Sequence, residues 1–335
     1  MVQRRTIDDC DRGKTMNGRQ LNILWMYPDI LNLHGDRGNV AALVRICEQL
    51  GIEARLKRVN RLTDRLTDSV TGGSDISNAD LILLNPGELI VMPAVIHALS
   101  EKKEALQEYA AAGKGILAVG TTGAVLAQEI VRQDGSVFEG LGLLDMKVNE
   151  REAIYGDDII FRLMSDADTS NTKAGDSETK SEDAQSTEEP GDVCGIQIRT
   201  TDTFLAENQK ALGRIVYGLG NSGESGTIYN ENVGTVDSGA NDSSAADSRA
   251  IYEGAVRENI IFTNALGPVL VKNPWFARRI IESILKRKYP NADIPAETDA
   301  YLTARGKTTE TLWDLERKSA RAIAAFNKNK KSGLS

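Results

Sequence analysis

The 335-residue chain is poor in the residues that build metal sites and disulfide frameworks. It contains two histidines, His34 and His97, and three cysteines, Cys10, Cys47 and Cys194, all far apart in the sequence. Zinc sites and disulfide scaffolds need larger or more closely spaced sets of these residues. The sequence therefore argues against both, and it predicts no metal site.

Long apolar runs and an excess of positive charge are also lacking. No apolar stretch approaches the roughly 20 residues that a membrane-spanning helix needs. The basic start of the chain, MVQRRTIDDCDRGK, is not followed by the apolar segment of a secretion signal. With 40 basic and 48 acidic residues, the net charge is −8, which leaves no basic stripe for nucleic acid phosphates. We therefore expect a cytoplasmic protein that neither inserts into membranes nor binds nucleic acid.

Short apolar strands alternate with helical patterns in the first part of the chain. Strands are predicted over 21–27, 52–59, 80–84 and 116–119, and helices from the cap Asn39 to Gly51, over 93–112 and over 122–131. This alternation is typical of an α/β fold with a doubly wound, mostly parallel sheet covered by helices on both faces. In such sheets, binding and catalytic sites form at the carboxyl ends of the strands.

Two polar segments interrupt this pattern, residues 165–192 and residues 222–250. The first holds nine acidic residues and two lysines, and the second is rich in Ser, Gly, Asn and Asp. Neither can bury enough apolar surface to offset the entropy of ordering, so both are predicted to be disordered insertions. We interpret the acidic insertion as a tolerated surface loop rather than a regulatory arm.

The two ends of the chain are predicted to lie outside the main domain, which spans residues 20–290. Residues 1–19 are polar and are predicted to form a disordered tail. Residues 291–335 form a predicted helical extension, because Glu310–Phe326 has the apolar spacing of an amphipathic helix. The expected organisation is a single domain with two insertions and two terminal additions.

One predicted strand–turn–helix has the geometry on which enzymes present a nucleophile. The strand that ends at Val119 is followed at once by the small residues Gly120, Thr121, Thr122 and Gly123. A side chain at the tip of such a turn lies beside the free N–H groups at the start of the helix. Small residues also suit ordinary turns, so this feature alone does not identify an enzyme.

Four further stretches carry a family resemblance when they are taken together and in order. They are YPDILNLHGDRGNV (27–40), DGSVFEGLGLLD (134–145), ALGRIVYGLGNSGES (211–225) and LGPVLVKNPWFARRII (266–281). They resemble the GatD family, the class I-type, cobyric acid synthase-related glutamine amidotransferase subunits of lipid II isoglutaminyl synthase. The LHGDRGN segment is close to the family signature, which usually has Tyr where His34 stands. The resemblance covers residues 20–290 apart from the two insertions, and it implies a flavodoxin-like, class I glutamine amidotransferase-like domain.

The resemblance also implies a chemistry and a partner. In the family, a cysteine thiolate attacks the side-chain amide of glutamine, a histidine moves the proton, and N–H groups stabilise the oxyanion. The ammonia passes to a MurT-like Mur ligase subunit, which amidates the stem-peptide glutamate of lipid II during peptidoglycan synthesis. ATP and Mg²⁺ are therefore expected on the partner, and no cofactor is expected in this chain.

The two catalytic residues of the family are missing at the positions that match its motifs. Counting back from Asp134 places the nucleophile position at Gly120, and the histidine that precedes Gly-Pro in the family is replaced by Leu266. We expect Gly120 and Leu266 to lie close together at the carboxyl edge of the sheet, as the missing pair would. Thr121 and Thr122 are poor substitutes, because a hydroxyl needs a base to become nucleophilic.

Two other parts of the family's pocket are also altered. Asn85-Pro86-Gly87 stands where the family has a glycine-rich run of the oxyanion hole, and Pro86 has no N–H to donate. The arginine that engages glutamine falls at Ala153 or Ile154. Four losses in one pocket predict a GatD-like subunit without glutaminase activity that acts as scaffold or regulator of its ligase.

Two alternatives remain open at this level. In the first, the chain is an active glutamine-hydrolysing subunit whose nucleophile lies elsewhere in the sequence. In the second, the degenerate pocket binds a different small molecule as a sensor. Cys47, on an apolar helix face, and Cys194, in a predicted strand, are expected to be inert. Asp36 and Arg37 either lie at the partner interface or only brace the helix that follows them.

Overall fold

The structure is a computed structural model that describes residues 18–62, 75–164, 192–227 and 250–308, with the isolated residues 318 and 325. Nearly all of the predicted tail, most of both predicted insertions, and all but two residues of the predicted helix Glu310–Phe326 lie outside these ranges. None of the helices in the described ranges is long and apolar enough to cross a membrane. The same ranges hold no group of three or more His, Cys, Asp and Glu side chains that is placed to bind a metal ion.

The described ranges contain thirteen strands and eight helices. The strands are β1 (Gln20–Met26), β2 (Glu53–Val59), β3 (Leu81–Leu84), β4 (Gly115–Val119), β5 (Glu129–Val131), β6 (Val137–Glu139), β7 (Met146–Leu163), β8 (Val193–Leu205), β9 (Gly213–Leu219), β10 (Ser225–Thr227), β11 (Tyr252–Glu253), β12 (Ala255–Arg257) and β13 (Ile260–Thr263). The helices are α1 (Arg37–Gln49), α2 (Asp75–Asn78), α3 (Met92–Ser100), α4 (Lys103–Ala111), α5 (Gly123–Leu126), α6 (Val269–Lys272), α7 (Pro274–Lys288) and α8 (Ile294–Ala304).

The first sheet has six strands in the order β12-β13-β4-β3-β1-β2. Five of these strands run parallel, and β12 alone pairs antiparallel at one edge. Successive side chains of β1 enter different cores: Leu24 and Met26 pack with α3 and α4, whereas Ile23 and Trp25 pack with α1 and α7. The sheet is therefore covered on both faces, and the predicted doubly wound, mostly parallel architecture is confirmed.

A second sheet, which the sequence did not predict, packs beside the first. Its five-strand path is β10-β9-β7-β5-β6, with β8 added on β7 and β11 on β9, and most of its pairs are antiparallel. The backbone N–H of Leu266, just beyond β13, donates to Ile196 O on β8 at 2.8 Å. This contact brings the second sheet to the carboxyl edge of the first.

Two predicted helices differ from the observed ones. The helix predicted over 93–112 is two helices, α3 and α4, and the hydroxyl of Ser100 at the break donates to His97 O at 2.7 Å. The helix predicted over 122–131 ends at Leu126, and Glu129–Val131 forms β5 instead. Pairing of β5 with β6 and β7 outweighs the local helical pattern there.

Candidate functional site at the carboxyl edge of the parallel sheet

The turn after β4 has the backbone geometry that the sequence predicted. Gly120 follows the buried strand directly and has φ +61, in the left-handed region that favours glycine. One turn of 3₁₀ helix over Gly120–Thr122 then leads into α5. The chain therefore reverses sharply at Gly120, at the edge of the sheet where doubly wound folds place their sites.

The space beside Gly120 is occupied by apolar side chains. A Cβ atom added to Gly120 would lie 2.8 Å from Cδ2 of Leu266 and 3.2 Å from Cβ of Pro86. Non-bonded carbon atoms are normally about 3.5–4.0 Å apart, so a side chain at this position would overlap its neighbours. The structure thus brings together three of the positions singled out in the sequence, and their contact is apolar.

Leu266 is fixed by its backbone as well as by packing. Its side chain is 2% exposed, and its N–H and C=O form hydrogen bonds of 2.8 and 3.2 Å with Ile196 on the second sheet. Gly267 follows with φ +77, and Pro268 directs the chain into α6. Leu266 is therefore a buried apolar anchor between the two sheets.

The hydroxyl groups of Thr121 and Thr122 bind backbone groups. Thr121 Oγ1 donates to Gly87 O at 2.7 Å and accepts from Gly87 N at 3.1 Å. Thr122 Oγ1 accepts from Val119 N at 3.0 Å and lies 2.9 Å from the carbonyl oxygen of Leu84. Both hydroxyls therefore tie the β4 turn to the neighbouring β3 turn, and their geometry is that of braces.

The turn after β3 is closely packed. A Cβ atom on Gly87 would lie 2.7 Å from Cδ2 of Leu31 and 2.9 Å from Ile30 O, so only glycine fits there without a shift. The side chain of Asn85 is fully buried and accepts a 3.4 Å hydrogen bond from Asn39 Nδ2. Among the described residues, no partner accepts from Asn85 Nδ2.

Ala153 and Ile154 lie in an irregular part of the second sheet. The β7–β8 register shifts between Glu150 and Tyr155, and Ile154 is 72% exposed in that stretch. The nearby Arg151 forms a 2.5 Å ion pair with Asp202. The side chain of Ile154 thus points to solvent, and Arg151 is engaged in the sheet.

The acid of the LHGDRGN turn is a buried structural residue. Asp36 is fully buried and accepts hydrogen bonds from Asn39 Nδ2 at 2.9 Å and from Gly267 N at 3.5 Å. Asn39 in turn accepts from the N–H of Leu270 at 2.9 Å. The turn is therefore fastened to the segment that begins α6, 231 positions later in the chain.

Two predictions about this turn need correction. Asn39 does not cap the first helix: α1 already begins at Arg37, and the Asn39 side chain bridges two distant turns. A direct interface contact by Asp36 does not fit its complete burial, whereas Arg37 is exposed and donates a weak 3.4 Å bond to Pro28 O. The interface prediction therefore remains for Arg37 alone.

Burial changes the acidity of Asp36. Desolvation raises the pKa of its carboxyl from 3.8 to about 6, against the opposing effects of Gly267 N–H, Asn39 and the charge of Lys272. The same physical cause acts on both described cysteines. Burial raises the pKa of Cys47 to about 12 and that of Cys194 to about 11. Neither thiol is therefore an activated nucleophile at neutral pH, and Cys10 lies outside the described residues.

A buried polar network beside Leu266 was not predicted. Glu253 is fully buried and accepts hydrogen bonds from Thr263 Oγ1 at 2.6 Å, Asn264 N at 2.7 Å and Asn264 Nδ2 at 2.9 Å. Asn221 also bonds to Asn264, and Arg199 donates to the carbonyl oxygens of Asn221 and Gly220. Short-range sequence patterns carry no signal for it, because its members come from separate strands and turns.

Comparison with known proteins places this site in context. No protein-family model matches the chain. The lipid II isoglutaminyl synthase (glutamine-hydrolysing) subunit GatD of Streptococcus pneumoniae is 26% identical over 281 residues, which are 84% of this chain and 86% of that protein. GatD of Staphylococcus aureus is 23% identical over 269 residues, 80% of this chain and 86% of that protein.

Two solved structures have weaker similarity. A glutamine amidotransferase is 15% identical with a TM-score of 0.42, covering 78% of this chain and 98% of its own. A ThuA-like protein from Bacteroides uniformis is 8% identical with a TM-score of 0.37, covering 85% and 96%. Over most of its length, the sequence of this chain is similar to the GatD subunits of lipid II isoglutaminyl synthase.

Proposed function

We propose that this chain is the GatD-like subunit of a lipid II isoglutaminyl synthase-type complex and that it has no glutaminase activity. It acts in this proposal as a scaffold or regulator of a MurT-like ligase, which carries ATP and Mg²⁺ and amidates the stem-peptide glutamate. The relatives from Streptococcus pneumoniae and Staphylococcus aureus are named as glutamine-hydrolysing subunits of that synthase. Similarity over 86% of each relative supports the same assembly for this chain.

The observation that carries the loss of activity is the apolar contact at Gly120. Glutamine hydrolysis of this type needs a thiolate and a base within hydrogen-bond reach of each other. Gly120 supplies no side chain, Leu266 supplies no proton acceptor, and the two are packed so closely that an added Cβ would be 2.8 Å from Leu266. The two positions therefore hold neither a nucleophile nor a base, which supports the proposed loss of activity.

Other groups of the chain are poorly suited to replace the missing pair. The hydroxyls of Thr121 and Thr122 are bound to backbone atoms of the β3 and β4 turns. Cys194 lies near Leu266 in the fold, but its thiol is buried and its pKa is raised to about 11. A threonine nucleophile would have to break its backbone hydrogen bonds, and a Cys194 nucleophile would have to lose its proton in a buried site. Both requirements favour a subunit without hydrolytic activity.

A scaffold role requires a rigid surface, and the turn that holds Arg37 provides one. Asp36 and Asn39 fix this turn to the Gly267 and Leu270 backbone through buried hydrogen bonds. Arg37 projects from the braced turn and is exposed. Rigid presentation lowers the entropy lost when a partner binds.

The loss of activity is tested by measuring glutamate release from glutamine by the purified chain, alone and with its ligase. We expect no release above the uncatalysed rate, while GatD of Streptococcus pneumoniae in the same assay serves as the positive control. Turnover that disappears in Cys194→Ala or Thr121→Val would overturn the proposal and identify the nucleophile. Turnover that survives both variants would overturn it as well, because it would require a group outside these positions.

The scaffold role is tested by association with the MurT-like ligase. We expect a stable heterodimer, and we expect Arg37→Glu to weaken it about tenfold without changing the melting temperature. Lys102→Glu is the control, because Lys102 is also exposed and lies between α3 and α4, on the face of the sheet opposite α1. If the wild-type chain does not bind the ligase at micromolar concentration, the scaffold role is wrong and a ligand sensor becomes the better explanation.

A further inference from the structure

An open groove lies at the outer edge of the parallel sheet, between α1 and the edge strand β2. Its volume is about 540 Å³, within the range of small-molecule binding sites. Its lining includes Trp25 from β1, Arg37 and Arg45 from α1, and Arg58 and Asn60 at the end of β2. Neither Gly120 nor Leu266 lines it, so this groove is distinct from the altered pocket described above.

Asp29 and Glu48 also line the groove, but two of its three arginines form no ion pair within the described ranges. Arg45 is paired with Glu48 at 3.6 Å. Arg37 bonds only to the carbonyl oxygen of Pro28 at 3.4 Å, and Arg58 lies over the ring of Trp25, 5.0 Å from its centroid. Within the described ranges, no ion pair joins Arg37 or Arg58 to an acidic side chain. The guanidinium groups of Arg37 and Arg58 can therefore donate charge-assisted hydrogen bonds to a bound anion.

Stacking on Trp25 fixes the position of Arg58. The indole is 4% exposed and is held by the buried strand β1, so it forms a rigid floor for the guanidinium. A cation over an aromatic face is stabilised, and the planar fork of arginine keeps its N–H groups free to bind an oxyanion. Arginine binds phosphate and carboxylate in this bidentate manner more readily than lysine does.

The location of the groove favours a ligand as well. Pro28 and Asp29 follow β1, and Asn60 follows β2, so the groove opens at the carboxyl ends of two parallel strands. Crevices at this end of open α/β sheets are where ligands bind. We propose that the groove binds the oxyanion, phosphate or carboxylate, of a small molecule, with Arg58 and Arg37 as the donors. This inference does not depend on the ligase or on glutamine hydrolysis.

Direct binding to the full chain tests the proposal, with ribose 5-phosphate, citrate and uncharged ribose as probes. We expect saturable binding of at least one anion, no binding of ribose, and a shift of the Trp25 indole N–H resonance on titration. Binding should weaken as salt is added, because the donors are charged and exposed. Saturation by ribose 5-phosphate alone assigns a phosphate site, and saturation by citrate alone assigns a carboxylate site.

Substitutions of two arginines on β2 distinguish a specific anion site from a general electrostatic attraction of anions to the surface. Arg58→Ala should weaken binding about tenfold or more, because charge-assisted hydrogen bonds are lost. Arg58→Lys keeps the charge but loses the planar guanidinium, so its affinity for the anion should lie between those of the wild type and Arg58→Ala. Arg55→Ala is the control, because alternation along β2 places Arg55 on the opposite face, where it pairs with Glu53.

Two results would overturn the proposal. One is the absence of saturable binding of either anion by the wild-type chain, and the other is an equal loss of binding in Arg55→Ala and Arg58→Ala. Both arginines are exposed on an edge strand, so these variants should keep the melting temperature of the wild type. The anion-binding measurements do not involve the ligase, so a failure of ligase binding would not change them. The anion groove and the scaffold role can therefore be tested separately.

Discussion

The two sides of the turn after β13 differ sharply in chemistry. On one side, Thr263 and Asn264 donate three hydrogen bonds to the fully buried carboxylate of Glu253. On the other side, the side chains of Leu266 and Pro86 lie beside Gly120, where an added Cβ would be 2.8 and 3.2 Å from them. The buried carboxyl of Glu253 is held by several hydrogen bonds, whereas the neighbouring contact at Gly120 is apolar.

The two contacts stabilise the fold in different ways. The polar network holds strands of both sheets together, and the apolar contact closes the edge of the parallel sheet. Neither arrangement contains a thiolate or an imidazole. The comparison can be tested by disrupting each side separately.

The largest effect is expected on the polar side. Glu253→Ala removes the acceptor of three buried hydrogen bonds and leaves their donors unsatisfied, at about 1–3 kcal/mol for each such group. We expect the free energy of unfolding, measured by urea denaturation, to fall by about 3–5 kcal/mol. Glu207→Ala is the control, because Glu207 is exposed and should change stability by less than about 0.5 kcal/mol. A loss below about 1 kcal/mol for Glu253→Ala would show that the network is not a stabilising unit.

A loss of stability of similar or smaller size, with a specific coupling between two positions, is expected on the apolar side. Gly120→Ala should destabilise the chain by about 3 kcal/mol, because its φ of +61 is strained for alanine and its Cβ meets Leu266 at 2.8 Å. Leu266→Ala should cost about 2–5 kcal/mol through the cavity it leaves. In the double variant, the alanine at position 120 fills part of that cavity. The loss of stability of the double variant should therefore be smaller than the sum of the two single losses by about 1–2 kcal/mol.

Gly142→Ala provides the matched control for backbone strain. Gly142 has φ +66, close to that of Gly120, but an added Cβ would have no atom within 4 Å. The variant should therefore show the cost of φ alone, about 1 kcal/mol, and no coupling with Leu266→Ala. Equal coupling at positions 120 and 142 would contradict the proposed contact between Gly120 and Leu266.

The parallel sheet was predictable, and the second sheet was not. Strands such as Leu81–Leu84 are buried on both faces and appear in the sequence as continuous apolar runs. By contrast, β7 contains many charged residues, and its partner β8 lies beyond the acidic segment 165–192. Its pairing depends on contacts between distant segments, which local periodicity does not record. The same long-range pairing turned the end of the predicted helix 122–131 into β5.

The candidate site was predictable where its motifs have intact flanks. Gly120 and Leu266 were matched through the residues beside them, and the structure places them in contact. The burial of Asp36 was not predictable, because a charged residue in a turn is usually exposed. Its environment is created by Gly267, which is 231 positions away in the sequence.

The smallest expected effect is a pH dependence that comes from Asp36. Burial raises its pKa from 3.8 to about 6, so between these values the folded chain binds more protons at this site than the unfolded chain. The contribution of Asp36 to stability is therefore complete below about pH 4 and is lost as the pH rises through about 6. Asp36→Asn abolishes the titration and preserves the bond from Asn39, so the stability of wild type relative to this variant should fall by about 2 kcal/mol between pH 4 and pH 7. Urea denaturation across this range measures it, with the exposed Asp29→Asn as a control that should run parallel to wild type. A difference between wild type and Asp36→Asn that does not vary with pH would mean that burial does not raise the pKa of this carboxyl, and the proposed cause of the pH dependence would be wrong.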